Sequence, residues 1–337
     1  MSADAVRRIA DAVLYEGYIL WPYRRSAMKN RHRWTFGGVY PRAHSEGRDD
    51  DPWLMQTQCL LEGGPDTTLD VRVRFLHVVE RSVERATANG PELVDELTVG
   101  DERYLAWEEA TERELGASAL SVGELESPRV LSIDVAAGTE REELHDEGGE
   151  SAGAVLRSWH ALSGSVEIRA EPLRAGLFRL TIRIANTTPF AGTEREDALK
   201  RTYCSTHTVI RATGGELVSV TDPPEPLRSP AQTCENTGTW PVLVGEEGSR
   251  DTVLSSPIIL PDYPQIAPES PGDLFDGGEI DQLLTLSILS LTDEERREMR
   301  DSDPRAREIL ERTESLSDEE LMRLHGAVRE LQAVRTP

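Results

Sequence analysis

Between residues 69 and 83 the chain alternates: Val71, Val73, Phe75, His77 and Val79 fall on one face of an extended segment, Arg72 and Arg74 on the other. Phe178, Leu180, Ile182 and Ile184 repeat the pattern against Arg179, Thr181 and Arg183. A period of two describes a half-buried strand, so these segments need a sheet with one dry face and one wet face. Further runs at 53–61, 129–135, 156–170, 203–212 and 216–221 supply neighbours, and turns at 173–176 and at Gly214-Gly215 read as hairpins. Short strands at this spacing predict an antiparallel β-sandwich, with a barrel as the alternative closure. Residues 101–120 fit a helix or a polar-faced strand equally well.

Helical spacing appears at the two ends. Val6, Ile9, Ala10, Val13 and Leu14 predict an amphipathic helix over 3–15. Capping-box spacings at Asp276 with Glu279, Thr292 with Glu295 and Ser317 with Glu320, and Pro304 at a first-turn position, divide the tail into helices near 279–290, 293–300, 304–314 and 318–332. The fold class is therefore α+β: an antiparallel β-sandwich core with an N-terminal helix and a C-terminal helical tail. Residues 1–42 form the helix and an aromatic, basic segment packed on the core. The β-sandwich domain spans 43–256, with 44–51 as a surface loop and 136–153 as a mobile acidic insertion. Residues 222–278 read as irregular, and five prolines between Pro257 and Pro271 make 257–278 a strap. The helical tail is 279–337.

Composition narrows the function classes. The formal charge is −24, but residues 1–42 carry eight basic and three acidic side chains. So acidic a remainder repels a polyanion, which argues against nucleic acid as a partner. Three distant cysteines, Cys59, Cys204 and Cys234, fit a reducing compartment, and no signal-like or membrane-length apolar run is present, so the expected location is the cytoplasm. Glycine-rich phosphate loops, dinucleotide fingerprints, G-x-S-x-G, H-E-x-x-H and C-x-x-C are all missing, so the common nucleotide-dependent and hydrolase classes lose their signatures.

Two candidate sites follow. Residues 15–42 hold seven of the 18 aromatic residues and six basic side chains beside one acid, Glu16. Arginine interleaved with aromatic rings suits a contact surface for a protein partner, with Trp21, Tyr23, Arg24, Arg25, Arg33 and Trp34 as its partner-binding residues; the alternative is a packed edge. Cys204 and His207, with Cys234 as a third candidate ligand, have a metal-ligand spacing that would take zinc or nickel. On a strand, however, positions three apart point to opposite faces unless a bulge intervenes, and a buried cysteine beside an ordinary histidine explains the pair without a cofactor.

Three strings carry a family resemblance: YILWPYRRSAMKNRHRWTFGGVYP at 18–41, GTWPVLVGEEGSRDTVLSSPIILPDYPQIAPESPGDLFDGGEID at 238–281 and LTDEERREMRDSDPRAREILER at 291–312. They resemble a bacterial family, without an assigned activity, encoded beside uptake-type nickel-iron hydrogenases. The resemblance implies a non-enzymatic accessory, assembly or scaffold protein for a metalloenzyme, acting on hydrogenase subunits or maturation factors. The alternatives are a metal-binding carrier or unfamiliar enzyme using Cys204 and His207, and a purely structural β-sandwich module.

Overall fold

One strand organises the sheet. β1 (Leu54–Arg85) is 32 residues long; drawn straight it would reach ~100 Å at the usual rise per residue, and it bends instead. The computed structural model describes residues 3–16, 36–265 and 291–302 and single positions between 307 and 315. Within them the other elements are α1 (Ala3–Glu16), α2 (Arg42–Ser45), β2 (Glu92–Val94), β3 (Glu96–Val99), β4 (Glu102–Leu105), β5 (Trp107–Ser121), β6 (Arg129–Val135), β7 (Gly138–His145) and β8 (Ser151–Trp159). They continue with β9 (Leu162–Arg174), β10 (Leu177–Asn186), α3 (Arg195–Leu199), β11 (Cys204–Val218), α4 (Arg228–Ala231), β12 (Trp240–Leu243), β13 (Thr252–Ser256) and α5 (Asp293–Ser302).

Every ladder is antiparallel. One edge of β1 pairs with β11 and then β8; the other pairs with β10, then β5, then β2. β9 and β6 extend the sheet beyond β10, β13 and β12 beyond β11, and β7 beyond β8. β3 and β4 pair separately as a two-stranded sheet.

The bend lies at residues 64–67. Gly63 sits opposite Gly215 and Thr68 opposite Thr213, so four residues of β1 face Gly214 alone. Thr67 fixes the loop: its hydroxyl accepts from the Gly64 N–H at 3.1 Å and donates to the Gly214 carbonyl at 2.9 Å. A Cβ on Gly215 would lie 2.8 Å from the Thr67 methyl and 2.9 Å from the Glu62 carbonyl oxygen, so only glycine fits there.

The bend lets the sheet close over one core. Cys59 and Leu61 before it and Val71, Val73 and Phe75 after it join Val166, Ile168, Leu180, Ile182, Ile184 and Ile210 in a single apolar cluster. Phe75 packs on Tyr203 with ring centroids 4.7 Å apart. The two halves of the sheet thus enclose the core as the layers of a sandwich do. α1 crosses the other face of β1 and β11. Ile9, Ala10 and Val13 pack with Val242, Val244 and Leu254, while Leu14 packs with Leu76, Val78 and Cys204. The face carrying Arg72 and Arg74 therefore lies partly beneath a helix.

Residues 101–120, open in the sequence between helix and polar-faced strand, are extended as β4 and β5, because β5 is paired along β1 from Arg81 to Thr68. Several expectations give way. The segment expected as a mobile acidic insertion, 136–153, forms β7 and the start of β8, paired from Gly138–Trp159 to His145–Ser151. Two of its acids are matched: Arg141 bonds Glu143 as well as Glu84 of β1, and Arg157 bonds Glu142 as well as Glu109 of β5. Gly214-Gly215 closes no hairpin; it is the counterpart of the bulge within a continuous β11. The stretch read as irregular from 222 contains β12 and β13. Residues 44–51 are no simple surface loop, since His44, Ser45 and Asp51 are buried.

Other expectations stand. α1 occupies the N-terminal span, β9 and β10 meet at a two-residue turn with Gly176 at φ 75°, and α5 begins at a complete capping box. Thr292 and Glu295 exchange bonds at its start: Thr292 N–H and Oγ1 donate to Glu295 Oε2 at 2.8 and 2.9 Å, and Glu295 N–H donates to Thr292 Oγ1 at 3.3 Å. The strap beyond 265 and the tail helices expected at 279–290 and 318–332 lie outside the described residues.

Candidate functional site

Where α1 lifts from the sheet, a groove of about 490 Å³ opens between helix and strands. Its floor is Arg72 and Arg74 of β1, Glu114 of β5 and Val209 and Arg211 of β11; its wall is Val6, Arg7 and Ala10 of α1; its rim is the turn from Gly245 to Thr252. The strand period sets the floor. Ile210 and Ala212 point into the core, so Arg211 points out, as Arg72 does between Val71 and Val73.

The four guanidinium groups differ in what they have left to offer. Arg74 is buried and spent. Its Nη2 lies 2.5 Å from Asp11 Oδ1 and its Nε 2.8 Å from Glu112 Oε1, with Glu114 Oε2 3.6 Å from Nε. Burial works against its charge, and the Asp11 and Glu112 carboxylates overcome that and raise its pKa. Arg72 donates to the Val71 and Ala117 carbonyls, each at 3.1 Å, and to Ser118 Oγ at 2.7 Å. Arg7 and Arg211 are exposed and make no ion pair among the described residues. The rim carboxylate Asp251 accepts from Ser249 Oγ at 3.1 Å and Thr252 Oγ1 at 2.8 Å. An arginine fork grips carboxylates and phosphates but does not exchange protons near neutrality, so this groove is equipped to hold an anion beside apolar surface.

The cysteine and histidine set divides. Between Arg74–His207 and Leu76–Cys204 the ladder slips by one residue, with Ser205 at φ 50°. This bulge turns Cys204 and His207 to the same face, which alternation alone would not do. Cys204 enters the cluster of Leu14, Leu76 and Val78, whereas Cys234 packs with the cluster of Leu60, Leu177 and Val218. The two clusters share no residue, so Cys234 does not join the other two. Among the described residues no three metal-ligating side chains converge. Burial, with the Arg74 charge beside it, pushes His207 down to about 3.

A second polar cluster lies at α2. His44 Nε2 is 2.9 Å from Asp51 Oδ2, and Arg195 of α3 forks onto the same carboxylate at 2.9–3.1 Å while Nη2 reaches Tyr40 Oη. Burial would raise the Asp51 pKa, but the hydrogen bonds from Arg195 and His44 outweigh it and hold the carboxylate below its usual value. The His44 ring stacks on Tyr40 and meets Phe190 edge-on. No hydroxyl or thiol nucleophile is bonded to His44 among the described residues, so the cluster pegs the 40–53 segment to α3.

All six expected contact residues, Trp21, Tyr23, Arg24, Arg25, Arg33 and Trp34, lie outside the described residues. At the end of their segment Tyr40 is packed, Arg42 lies over the Trp53 ring at 4.7 Å, and Phe36 is exposed. Arg7 and Arg211 escaped the sequence reading, although each sits at a polar position of a legible pattern.

No known protein family, curated protein or solved structure matches this chain. Among the described residues, no helix is long and apolar enough to cross a membrane.

Proposed function

We propose that this chain is a non-enzymatic accessory protein of a metalloenzyme that works in the cytoplasm by binding another protein. The carrying observation is the groove under α1 of this acidic molecule, where Arg7 and Arg211, which make no ion pair among the described residues, stand beside Val6, Ala10 and Val209. Its natural occupant is a partner segment with a carboxylate next to small apolar side chains. The resemblance to proteins encoded beside nickel-iron hydrogenases makes a hydrogenase subunit or maturation factor the partner to test. Three free cysteines suit a reducing compartment.

The experiment is capture of purified hydrogenase subunits and maturation factors by the tagged full chain, compared with Arg7→Glu/Arg211→Glu. Both positions are exposed, so the variant should fold. Binding that weakens at least tenfold supports the reading. Equal capture by variant and parent removes the groove from it, and failure to capture any of these proteins removes the hydrogenase partner.

A further inference from the structure

The open edges of the sheet are protected to very different degrees. On β12, Pro241 lacks a donor, Leu243 N–H donates to Asp262 Oδ1 at 2.8 Å, and the Leu243 carbonyl accepts from Tyr263 at 2.7 Å. On β7, Glu140, Arg141, Glu142 and Glu143 follow one another. The outer edge of β5 carries Glu108, Glu109, Glu112, Arg113 and Glu114, and Ala119 sits at φ 53°. These are the devices that keep sheet edges from recruiting strands: proline, covering chain, charge and irregular backbone.

β6 lacks proline, covering chain and irregular backbone among the described residues, and its only charges, Arg129 and Asp134, sit near its two ends. It pairs with β9 without a register shift from Arg129–Ile168 to Val135–Leu162, and it ends the sheet. No backbone group of 129–135 bonds outside that ladder among the described residues. Its centre, Val130-Leu131-Ser132-Ile133, is uncharged, and Val130 is 55% exposed. Leu131 and Val135 pack against the core while only half-buried, because the layer stops there. Asp134 is exposed and makes no ion pair among the described residues.

We propose that β6 is a strand-addition site for an extended, basic segment of a partner protein. Its free backbone groups select an extended chain, and the pleat selects the side chains. An antiparallel strand would set an apolar residue beside Val130, a basic residue beside Asp134 and apolar residues over Leu131 and Val135. A second copy of this chain fits poorly. Pairing β6 with itself about Ser132 sets Val130 against Asp134 twice, and each copy carries a charge of −24.

The test uses the full chain and a labelled heptapeptide, Val-Lys-Val-Thr-Val-Val-Thr, which puts lysine opposite Asp134, with a glutamate-for-lysine version as control. Anisotropy should show the lysine peptide bound at least tenfold more tightly, and Asp134→Lys, at an exposed position, should reverse the order. Amide hydrogen exchange should slow within 129–135 when the peptide is added. Absence of binding, equal affinity for both peptides, or protection confined to the groove under α1 would overturn the proposal. So would a parent chain whose β6 amides are already as protected as those of β9, or a dimer in sedimentation that Val130→Lys dissolves, since the edge would then belong to this chain or to its own copy.

Discussion

At the residue scale, the buried histidines make a measurable difference. His207 and His77 are fully buried, and among the described residues neither ring nitrogen of His77 nor Nε2 of His207 meets a hydrogen-bond partner of good geometry. Burial with Arg74 nearby lowers His207 to about 3, and burial with the Arg113 charge lowers His77 to about 4. Burial and Arg201 shift His160 in the same direction. Folded-state values below the unfolded value of ~6.5 mean that the unfolded chain binds more protons, so stability is complete above about 6.5 and drains away as the pH falls. Each of the two contributes a loss of about 1 kcal/mol per pH unit in that range. Asp51, also lowered, begins to matter only below its ordinary value of 3.8, so the window from 6.5 to 5 isolates the histidines. Urea midpoints should fall steadily across it, and His77→Gln with His207→Gln should flatten the fall; a parent midpoint constant from pH 7 to 5 would contradict the assignment. These residues were unequally legible in the sequence. His77 was legible on the dry face of its strand, whereas the burial of His44 depends on Phe190 and Arg195, about 150 positions away, which no local pattern displays.

At the scale of elements, strands with one wet and one dry face were legible, and so were the ends of helices with complete caps. β6, β10 and the Thr292 capping box announce themselves through period and spacing. β7 does not: only Leu144 is buried along it, so no alternation forms, and its pairing rests on ion pairs with β8 and with Glu84 of β1. The bend was misread for a related reason. Gly63-Gly64-Pro65 looks like the end of a strand and Gly214-Gly215 like a hairpin, and only their juxtaposition reveals one bulge shared by two continuous strands. That juxtaposition can be tested. Gly215→Ala brings a methyl group to 2.9 Å from the Glu62 carbonyl oxygen, which is backbone and cannot swing away. The expected cost is about 1–3 kcal/mol, a fall in Tm of about 1–4 °C for a chain this size. Gly64→Ala meets nothing within 4 Å and should stay within about 0.5 kcal/mol of the parent. If calorimetry finds the two variants alike, the close approach at Gly215 is not what shapes the bend.

For the whole molecule the governing quantity is a formal charge of −24. Two electrostatic effects oppose each other when salt is added. Ion pairs at contact, such as Arg157 with Glu109 at 2.9 Å and Arg250 with Glu62 at 2.7 Å, lose some attraction. Repulsion among the uncompensated carboxylates acts over longer distances and is also screened. The Debye length decides between them: it falls from ~30 Å at 0.01 M to ~8 Å at 0.15 M, which remains well above contact distance but drops below the spacing of charges across a molecule of this size. Screening therefore removes more repulsion than attraction, and the unfolding midpoint should rise between 10 and 150 mM sodium chloride. Association responds to the same screening. An acidic partner is repelled at long range and gripped only at the Arg7 and Arg211 groove, so its association rate should also rise over this interval; a basic strand approaching β6 is drawn in by the net charge, and its rate should fall. Stopped-flow rates at 10 and 150 mM, measured with an acidic and a basic probe, would therefore move in opposite directions. Rates that moved together would mean that the net charge does not govern approach to the two surfaces.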